Sequence, residues 1–488
     1  MWLTTQMAVY RQPDILERKI IMRIKKLTAI CLCAAVVLSV SACGGRTEQP
    51  AGTAATTTPL TTTTPAATLK EEDKEAIAEI DKDAEKLENP TVKFLSSWDI
   101  NPADGKPKQV SLELFETTRG GKIEYIPCTW DERYSALGKL VASGDSPDMF
   151  SAGDLDCFPQ GAINNMFIPM DDYVDFDSEL WAPMKEINDL FVFNGKHYVG
   201  ATSTDAGVVM IYNKRTIEEN GLQDPVKLLE EGNWTWDTLY DMMIAFCDRS
   251  QEKYAIDGWW FEGAISLTTG VPYIGMKDGK VVQNLDDPLI EAVQKYMYDI
   301  KKQDLPYPKS EYGWQINPSN IAKGKTLFYP CGIWALYVAD LSDFGEMEDI
   351  MFVPMPRCPQ ADEYYLPTSI NGFTICSGAT NPEGVGAYLD CVMQCRDNET
   401  AKKIEQEQIF EDYQWTQEMY DMLQKVKEMT EQHPMIEFYT AVNDNVNDLI
   451  NNPIKETYNA GVPWSQTKET IKMAVQKELD TVNGKLTD

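Results

Sequence analysis

The stretch Phe193–Lys214, FNGKHYVGATSTDAGVVMIYNK, reads as strand, polar break, strand. Phe193 to Val199 carries a tight-turn signal at Asn194-Gly195, and Gly207 to Tyr212 is a β-branched apolar run bounded by polar residues. Between them Gly200, Ala201, Thr202, Ser203, Thr204 and Asp205 are small and polar, the composition of a segment that passes between two packed units. We read it as a hinge beside a cleft, with Asp205 inside it and Tyr212-Asn213-Lys214 opening a second lobe.

Length supports two lobes. The chain has 488 residues, and single cores stop growing at about 250–300 residues. Its 43% hydrophobic and 10% aromatic content is that of a folded protein. The formal charge is −32, and since residues 1–42 are net basic by +4, the remainder carries −36. Such a surface repels phosphate backbones and lacks a basic stripe, which excludes nucleic-acid binding. With only two histidines, His197 and His433, Ser-His-Asp hydrolysis and His-rich zinc sites have almost nothing to work with. His197 is expected to pack at a strand edge, not to act in catalysis.

Upstream, Met22 opens MRIKKLTAICLCAAVVLSVSACGG, with Arg23, Lys25 and Lys26 ahead of an uncharged run from Leu27 to Ala42. A membrane span needs about 20 apolar residues, so this run fits a cleaved signal (1–42), its true start at Met22. Val40-Ser41-Ala42-Cys43 resembles the lipobox of bacterial lipoproteins. That resemblance implies diacylglycerol on the Cys43 thiol, hence a place on the outer face of the cytoplasmic membrane. Residues 43–90 follow as lipidated N terminus, tether and spacer: Ala51 to Thr68 is too Thr-rich and repetitive to pack, and Leu69 to Asn89 has helical spacing at Ile77, Ile80, Ala84 and Leu87.

From Thr91 strand and helix signals alternate. VKFLSSW and KIEYIPCTW are strand candidates ending at Trp98 and Trp130, and Asp131–Ser143 is an amphipathic helix closed by Gly144. Thr235–Cys247 is a core helix, and Asp287-Pro288 and Asn381-Pro382 are N-cap and first-turn signals for two more. The C-terminal third is mainly helical. This is α/β architecture, in which ligands lie at the carboxyl ends of strands.

Six stretches in order carry a family resemblance. They are GDSPDMF (Gly144–Phe150), FIPMDDYV (Phe167–Val174), NGKHYVGATS with MIYNKRTIEENGL, NWTWDTLYDMM (Asn233–Met243), KGKTLFYPCGIWAL (Lys323–Leu336), and Phe352-Val-Pro-Met-Pro with Asn371-Gly-Phe-Thr-Ile and Thr380-Asn-Pro-Glu-Gly. Together they resemble the extracellular solute-binding proteins of family 1, the maltose-binding-like components of sugar ABC importers. The match spans Thr91 to about Asp397. It implies a two-lobed periplasmic-binding fold of type II with discontinuous lobes: residues 91–202 with 370–445, and 203–369 with 446–488. It also implies a ligand in the interlobe cleft and permease subunits as partners; a monomer without cofactor is expected.

A sugar site needs aromatic platforms for apolar C–H faces, plus carboxylates and amides for hydroxyls. Most of the 12 Trp should pack in the core, and Trp234 and Trp236 do so by period. Trp334, after the Pro-Cys-Gly break, matches the Trp that stacks on a sugar ring in relatives. Trp98 and Trp130 end their strands, and Trp259-Trp260 sits in a Gly-flanked loop. Asp154 falls where the family places a sugar-contacting carboxylate, but the chain is one residue shorter there, so Asp156 or Ser151 is open as the occupant. Asp205 and Asn371 lie where both lobes reach a ligand; each alone is more often a satisfied loop residue or cap.

Other motifs fail. Lys323-Gly-Lys-Thr326 lacks the first Gly of a phosphate loop, with Ser319 in its place. The acidic run 171–179 lacks the Gly of a calcium loop and reads as a solvated charged loop. The eight cysteines beyond Cys43 show no paired spacing, and no disulfide is assigned. The reading is a lipid-anchored binder of a carbohydrate, expected to be an oligosaccharide, and not an enzyme. Open beside it stand the same fold with a peptide, phosphodiester or sugar acid, and a secreted acidic glycoside hydrolase.

Overall fold

The computed structural model describes residues 69–486 apart from 104, 105, 107, 154, 156 and 338–340. The signal, Cys43 and the Thr-rich tether lie outside the described residues, as do Asp154 and Asp156.

Two sheets organise the chain. Their main strands are β1 (Thr91–Ser96), β2 (Lys122–Pro127), β3 (Met149–Ser151), β4 (Gly200–Ala206), β5 (Val209–Asn213), β6 (Tyr254–Ile256), β7 (Thr326–Cys331), β8 (Ile350–Pro354) and β9 (Leu366–Cys376). In the first sheet β2, β1, β3 and β9 are neighbours in that order, and β4 also pairs with β9. The second sheet runs β8, β5, β7, β6. Strands β5, β7 and β8 are buried throughout, which is why their sequences are continuous apolar runs without alternation.

The polar stretch expected to be a break is itself a strand. Gly200–Ala206 pairs antiparallel with β9 from Thr368↔Ala206 to Phe373↔Gly200 and is largely buried. Its hydroxyls have partners, which removes the cost of burying them: Thr204 Oγ1 lies 3.1 Å from Thr430 Oγ1, and Thr202 Oγ1 donates to Asn371 O at 3.1 Å. The chain changes sheet at Gly207-Val208, between β4 and β5, returns between β8 and β9, and crosses again after the short strand Pro434–Met435 beside β9. Helix Gln417–Gln432 packs against β4 and β8 and so touches both sheets.

Local signals explain the helices. Thr235, Asp287 and Asn381 each accept a first-turn N–H, and Gly144 ends Arg133–Ser143 at φ +80°. The long C-terminal helical run is interrupted at Gln414 (φ +55°), giving Glu399–Tyr413 and Gln417–Gln432. The helix Glu71–Ala78, expected as a spacer, instead packs on the first lobe: Ile77 is fully buried, and Arg119 Nη2 reaches Asp81 Oδ2 at 2.7 Å. Leu69, Ile80 and Leu87 pack against the core beside Ile77. His197 stacks on Phe176 (centroids 4.3 Å apart) with Nδ1 2.9 Å from Asp171 Oδ1. In the acidic run, Asp177 pairs with Lys185 at 3.1 Å and Asp175 caps its own turn. Among the described residues no cluster of three or more metal-ligating side chains occurs, and all eight cysteines are free thiols.

The third passage is tied down by Glu437. Its carboxylate accepts from Tyr273 N (2.8 Å), Ile274 N (2.9 Å) and Tyr439 N (3.2 Å). Burial raises this carboxyl to about 8, against the opposing pull of those N–H groups. The folded chain therefore holds a proton that the unfolded chain releases near 4.5, so this group makes stability fall as pH rises from about 4.5 to about 8. Melting curves across that window should slope less steeply in Glu437→Gln than in the wild type; equal slopes would contradict the assignment.

Candidate functional site

Strand direction decides which loops face each other. In the first sheet β4 runs toward the passage at Gly207, and β9 begins beside it, Thr368 opposite Ala206. Strand β3 is antiparallel to β9, Ser151 opposite Phe373 and Met149 opposite Ile375, so its carboxyl end points toward the passage. Strands β1 and β2 are parallel to it and end on the same side. In the second sheet β5 leaves the passage at Val209, and β7 is antiparallel to it with Cys331 opposite Val209. Strand β6 is parallel to β7. The carboxyl ends of β1, β2, β3, β6 and β7 thus all emerge where the chain changes lobe.

The first-lobe candidates gather there. Trp98 and Trp130 follow β1 and β2, and with Ser96, Ser151 and Arg133 they line one concavity. Trp98 is braced edge-on by Phe94, centroids 5.3 Å apart. The Arg133 guanidinium lies 4.0 Å from the Trp130 ring centroid, and its Nη1 donates to Trp130 O at 2.5 Å. Each indole therefore has one side supported while the residue stays partly exposed. Gly153 sits against Ile370 O, where a Cβ would come within 3.3 Å, so the loop that carries Asp154 leaves β3 beside the passage strand β9.

The second-lobe candidates form another group. Trp334, in the turn Ile333–Leu336 after β7, meets Trp260 edge-to-face at 6.2 Å and 73°. Trp259, next in the chain to Trp260, has the Lys309 ammonium 4.5 Å from its ring centroid. Trp415 Nε1 donates to Leu336 O at 2.8 Å, and the Trp415 ring lies tilted against Tyr337 with centroids 4.8 Å apart, which fixes the segment after Trp334 from the other side. Gly332 allows the turn: a Cβ there would fall 2.1 Å from Trp334 Nε1. Gly332→Ala is accordingly expected to swing the indole away and weaken ligand binding by about tenfold or more, with little change in melting, read by calorimetric titration beside thermal unfolding.

Between the two groups lie the passage strands. Asn371 is exposed and its Nδ2 donates to Ser203 Oγ at 3.0 Å. Asp205 is only partly covered, yet protein crowds its carboxyl; burial raises it above the ordinary value against the pull of Lys427 and of the Ala206 N–H, which donates to Oδ1 at 2.8 Å. The Tyr337 hydroxyl is likewise raised, first by burial and then by Asp205. Platforms on both lobes, with an amide, a carboxyl and hydroxyls between them, suit a ligand with apolar faces and polar edges.

Trp234 and Trp236 are core residues, their indoles bonded to Pro354 O and Thr268 Oγ1 at 2.8 and 2.9 Å. Sequence reading missed Arg133, Tyr337 and Lys309. Arg133 stands three residues after Trp130 and Tyr337 three after Trp334, a helical-turn spacing that could have flagged both. A separate polar concavity of about 480 Å³ lies by Asn213, Lys323 and Asp349, at the end of β5 away from the passage; no aromatic side chain lines it, so it offers no platform.

Comparison with known proteins agrees with this geometry. The profile of a family described as bacterial extracellular solute-binding protein matches residues 112–403. No curated protein matches the chain. Among solved structures, an ABC substrate-binding protein from Listeria monocytogenes in complex with cycloalternan aligns at TM-score 0.59 and 15% identity, over 81% of this chain and 99% of that one. The cyclic alpha-maltosyl-1,6-maltose binding protein from Arthrobacter globiformis aligns at 0.57 and 12%, over 80% and 99%. UgpB from Mycobacterium tuberculosis, in complex with glycerophosphocholine, aligns at 0.57 and 16%, again over 80% and 99%. At these identities the likeness establishes the fold alone, a two-lobed α/β architecture.

Proposed function

The chain belongs to the bacterial extracellular solute-binding protein family, whose profile covers more than half of it, and we propose that it captures a carbohydrate between its two lobes for delivery to an ABC importer. What supports this reading is that Trp98, Trp130, Trp259, Trp260 and Trp334 all follow strands whose carboxyl ends lie on the side where the chain changes lobe. Asp205, Asn371 and the loop of Asp154 supply hydrogen bonds to hydroxyls. The ring faces take the C–H faces of sugars, and contacts from both lobes favour the closed state by differential affinity. No bond is made or broken; the family and the matched structures are binding proteins. The proposal includes a lipid on Cys43 that holds a monomer outside the membrane. Among the described residues no helix is long and apolar enough to cross one.

The test is a melting and calorimetry panel of malto-, cello- and xylo-oligosaccharides, each as a length series, with mannitol, glycerophosphocholine and a tripeptide as other solutes. A ligand at a hundred times its Kd stabilises by about 2.7 kcal/mol, which a melting scan resolves. A shift with an oligosaccharide supports the reading; a shift only with glycerophosphocholine or the tripeptide replaces the ligand class. Release of reducing ends would restore the hydrolase.

A further inference from the structure

The turn that carries Trp334 is held from outside by the tip of a helical hairpin. Ile333–Leu336 is a single 3₁₀ turn, closed by Ala335 N to Gly332 O at 3.0 Å and Tyr337 N to Trp334 O at 3.2 Å. Turns of this kind are short and poorly bonded, so fixing a side chain on one takes outside support. Helices Glu399–Tyr413 and Gln417–Gln432 form the hairpin, and Gln414 between them has φ of +55°. A residue other than glycine in the left-handed region costs about 1–3 kcal/mol, and such strain collects where the backbone has a task.

The task is to bring two rings to one. Tyr337, which ends the turn, meets Tyr413 edge-on at 5.4 Å and 89°, and the Trp415 ring lies tilted against it at 4.8 Å and 32°. Trp415 is buried, lies 6.0 Å from Phe352 of β8 between ring centroids, and donates from Nε1 to Leu336 O at 2.8 Å. The hairpin is tied in turn to the chain after β1. The Lys106 ammonium stands 5.0 Å from the Tyr413 ring centroid, and Gln408 Nε2 donates to Lys108 O at 3.1 Å. Burial and then Asp205 raise the Tyr337 hydroxyl, which sets the held ring near the passage strand β4.

We propose that Tyr413 and Trp415 are positioning residues for ligand capture: the hairpin tip clasps Tyr337 and Leu336 and, through the turn, fixes where Trp334 stands. This inference rests on the placement of Trp334 in a carbohydrate site. Trp415→Phe keeps a ring against Tyr337 but loses the bond to Leu336 O. Trp181→Phe is the control, because it breaks another buried indole bond, Nε1 to Asp390 Oδ1 at 2.8 Å, beside Gly200 at the end of β4 away from the passage. Hydrogen exchange over 332–337, calorimetric titration with whichever panel oligosaccharide binds the wild type, and melting are read for all three proteins. The expected result is that both variants melt lower than the wild type, while only Trp415→Phe exchanges about tenfold faster at the turn and binds about tenfold more weakly. Wild-type exchange at the turn in Trp415→Phe, equal acceleration in Trp181→Phe, or faster exchange with unchanged affinity overturns the clasp and leaves the carbohydrate reading standing. A wild type that binds no glycan overturns both.

Discussion

Trp334→Ala should weaken carbohydrate binding about a hundredfold or more while leaving the melting temperature of the free protein nearly unchanged. Truncating an aromatic anchor at the centre of a site commonly costs about 2–4 kcal/mol, and each 1.4 kcal/mol is tenfold in affinity. Trp334 qualifies as the anchor because the register of β7 against β5 delivers it to the passage and Trp260 braces it edge-on. It is only partly buried at the edge of the core, so its removal opens no sealed cavity and costs the fold less than losing a fully buried aromatic would. Calorimetric titration of the two proteins reads the difference. Unchanged affinity would remove Trp334 from the site.

Asp148→Ala is expected to lower unfolding free energy by about 3–5 kcal/mol, since it strands several donors at a cost of about 1–3 kcal/mol for each that is buried. Asp148, the second Asp of GDSPDMF, is fully buried. Its Oδ2 accepts from Lys93 N at 2.8 Å, and Oδ1 from Thr380 N and Asn381 N at 2.7 and 2.9 Å. Asn381 in turn donates to Asn89 O and Thr91 O at 2.9 and 2.8 Å and caps its own helix at Gly384 N. One carboxylate thus joins β1, β3 and the start of helix Pro382–Arg396, and alanine would leave three N–H groups without that acceptor, Asn381's buried and those of Lys93 and Thr380 partly so. Asparagine should rescue little, because its amide would set an N–H against one of those donors. Denaturant midpoints measure the loss; a cost below about 1 kcal/mol would contradict this role.

The Asp148 network also explains why the motif was readable. GDSPD and TNPEG lie more than two hundred residues apart yet form one bonded unit, and each half is short and local, so each reads as a compact motif. Strand β5 and helix Trp236–Phe246 were equally legible, since burial and capping leave periodic and local marks. Strand β4 was not. Its Thr202, Ser203 and Thr204 look like loop residues because their partners, Asn371 and Thr430, are remote in sequence. The same applies to the cations: Arg133 over Trp130 and Lys309 over Trp259 are ordinary charges until folding sets them against a ring. The tryptophans at strand ends could be nominated from the breaks that follow their strands, but that those ends lie on the side where the chain changes lobe follows only from the register of both sheets.

Hydrogen exchange with and without a saturating oligosaccharide tests capture between the lobes most directly. The account predicts that protection rises together in the segments after β1 and β2, around Trp98 and Trp130, and in those after β6 and β7, around Trp259 to Trp260 and Trp334. Protection confined to one lobe, or raised only by the polar concavity at Asn213 and Asp349, would contradict it.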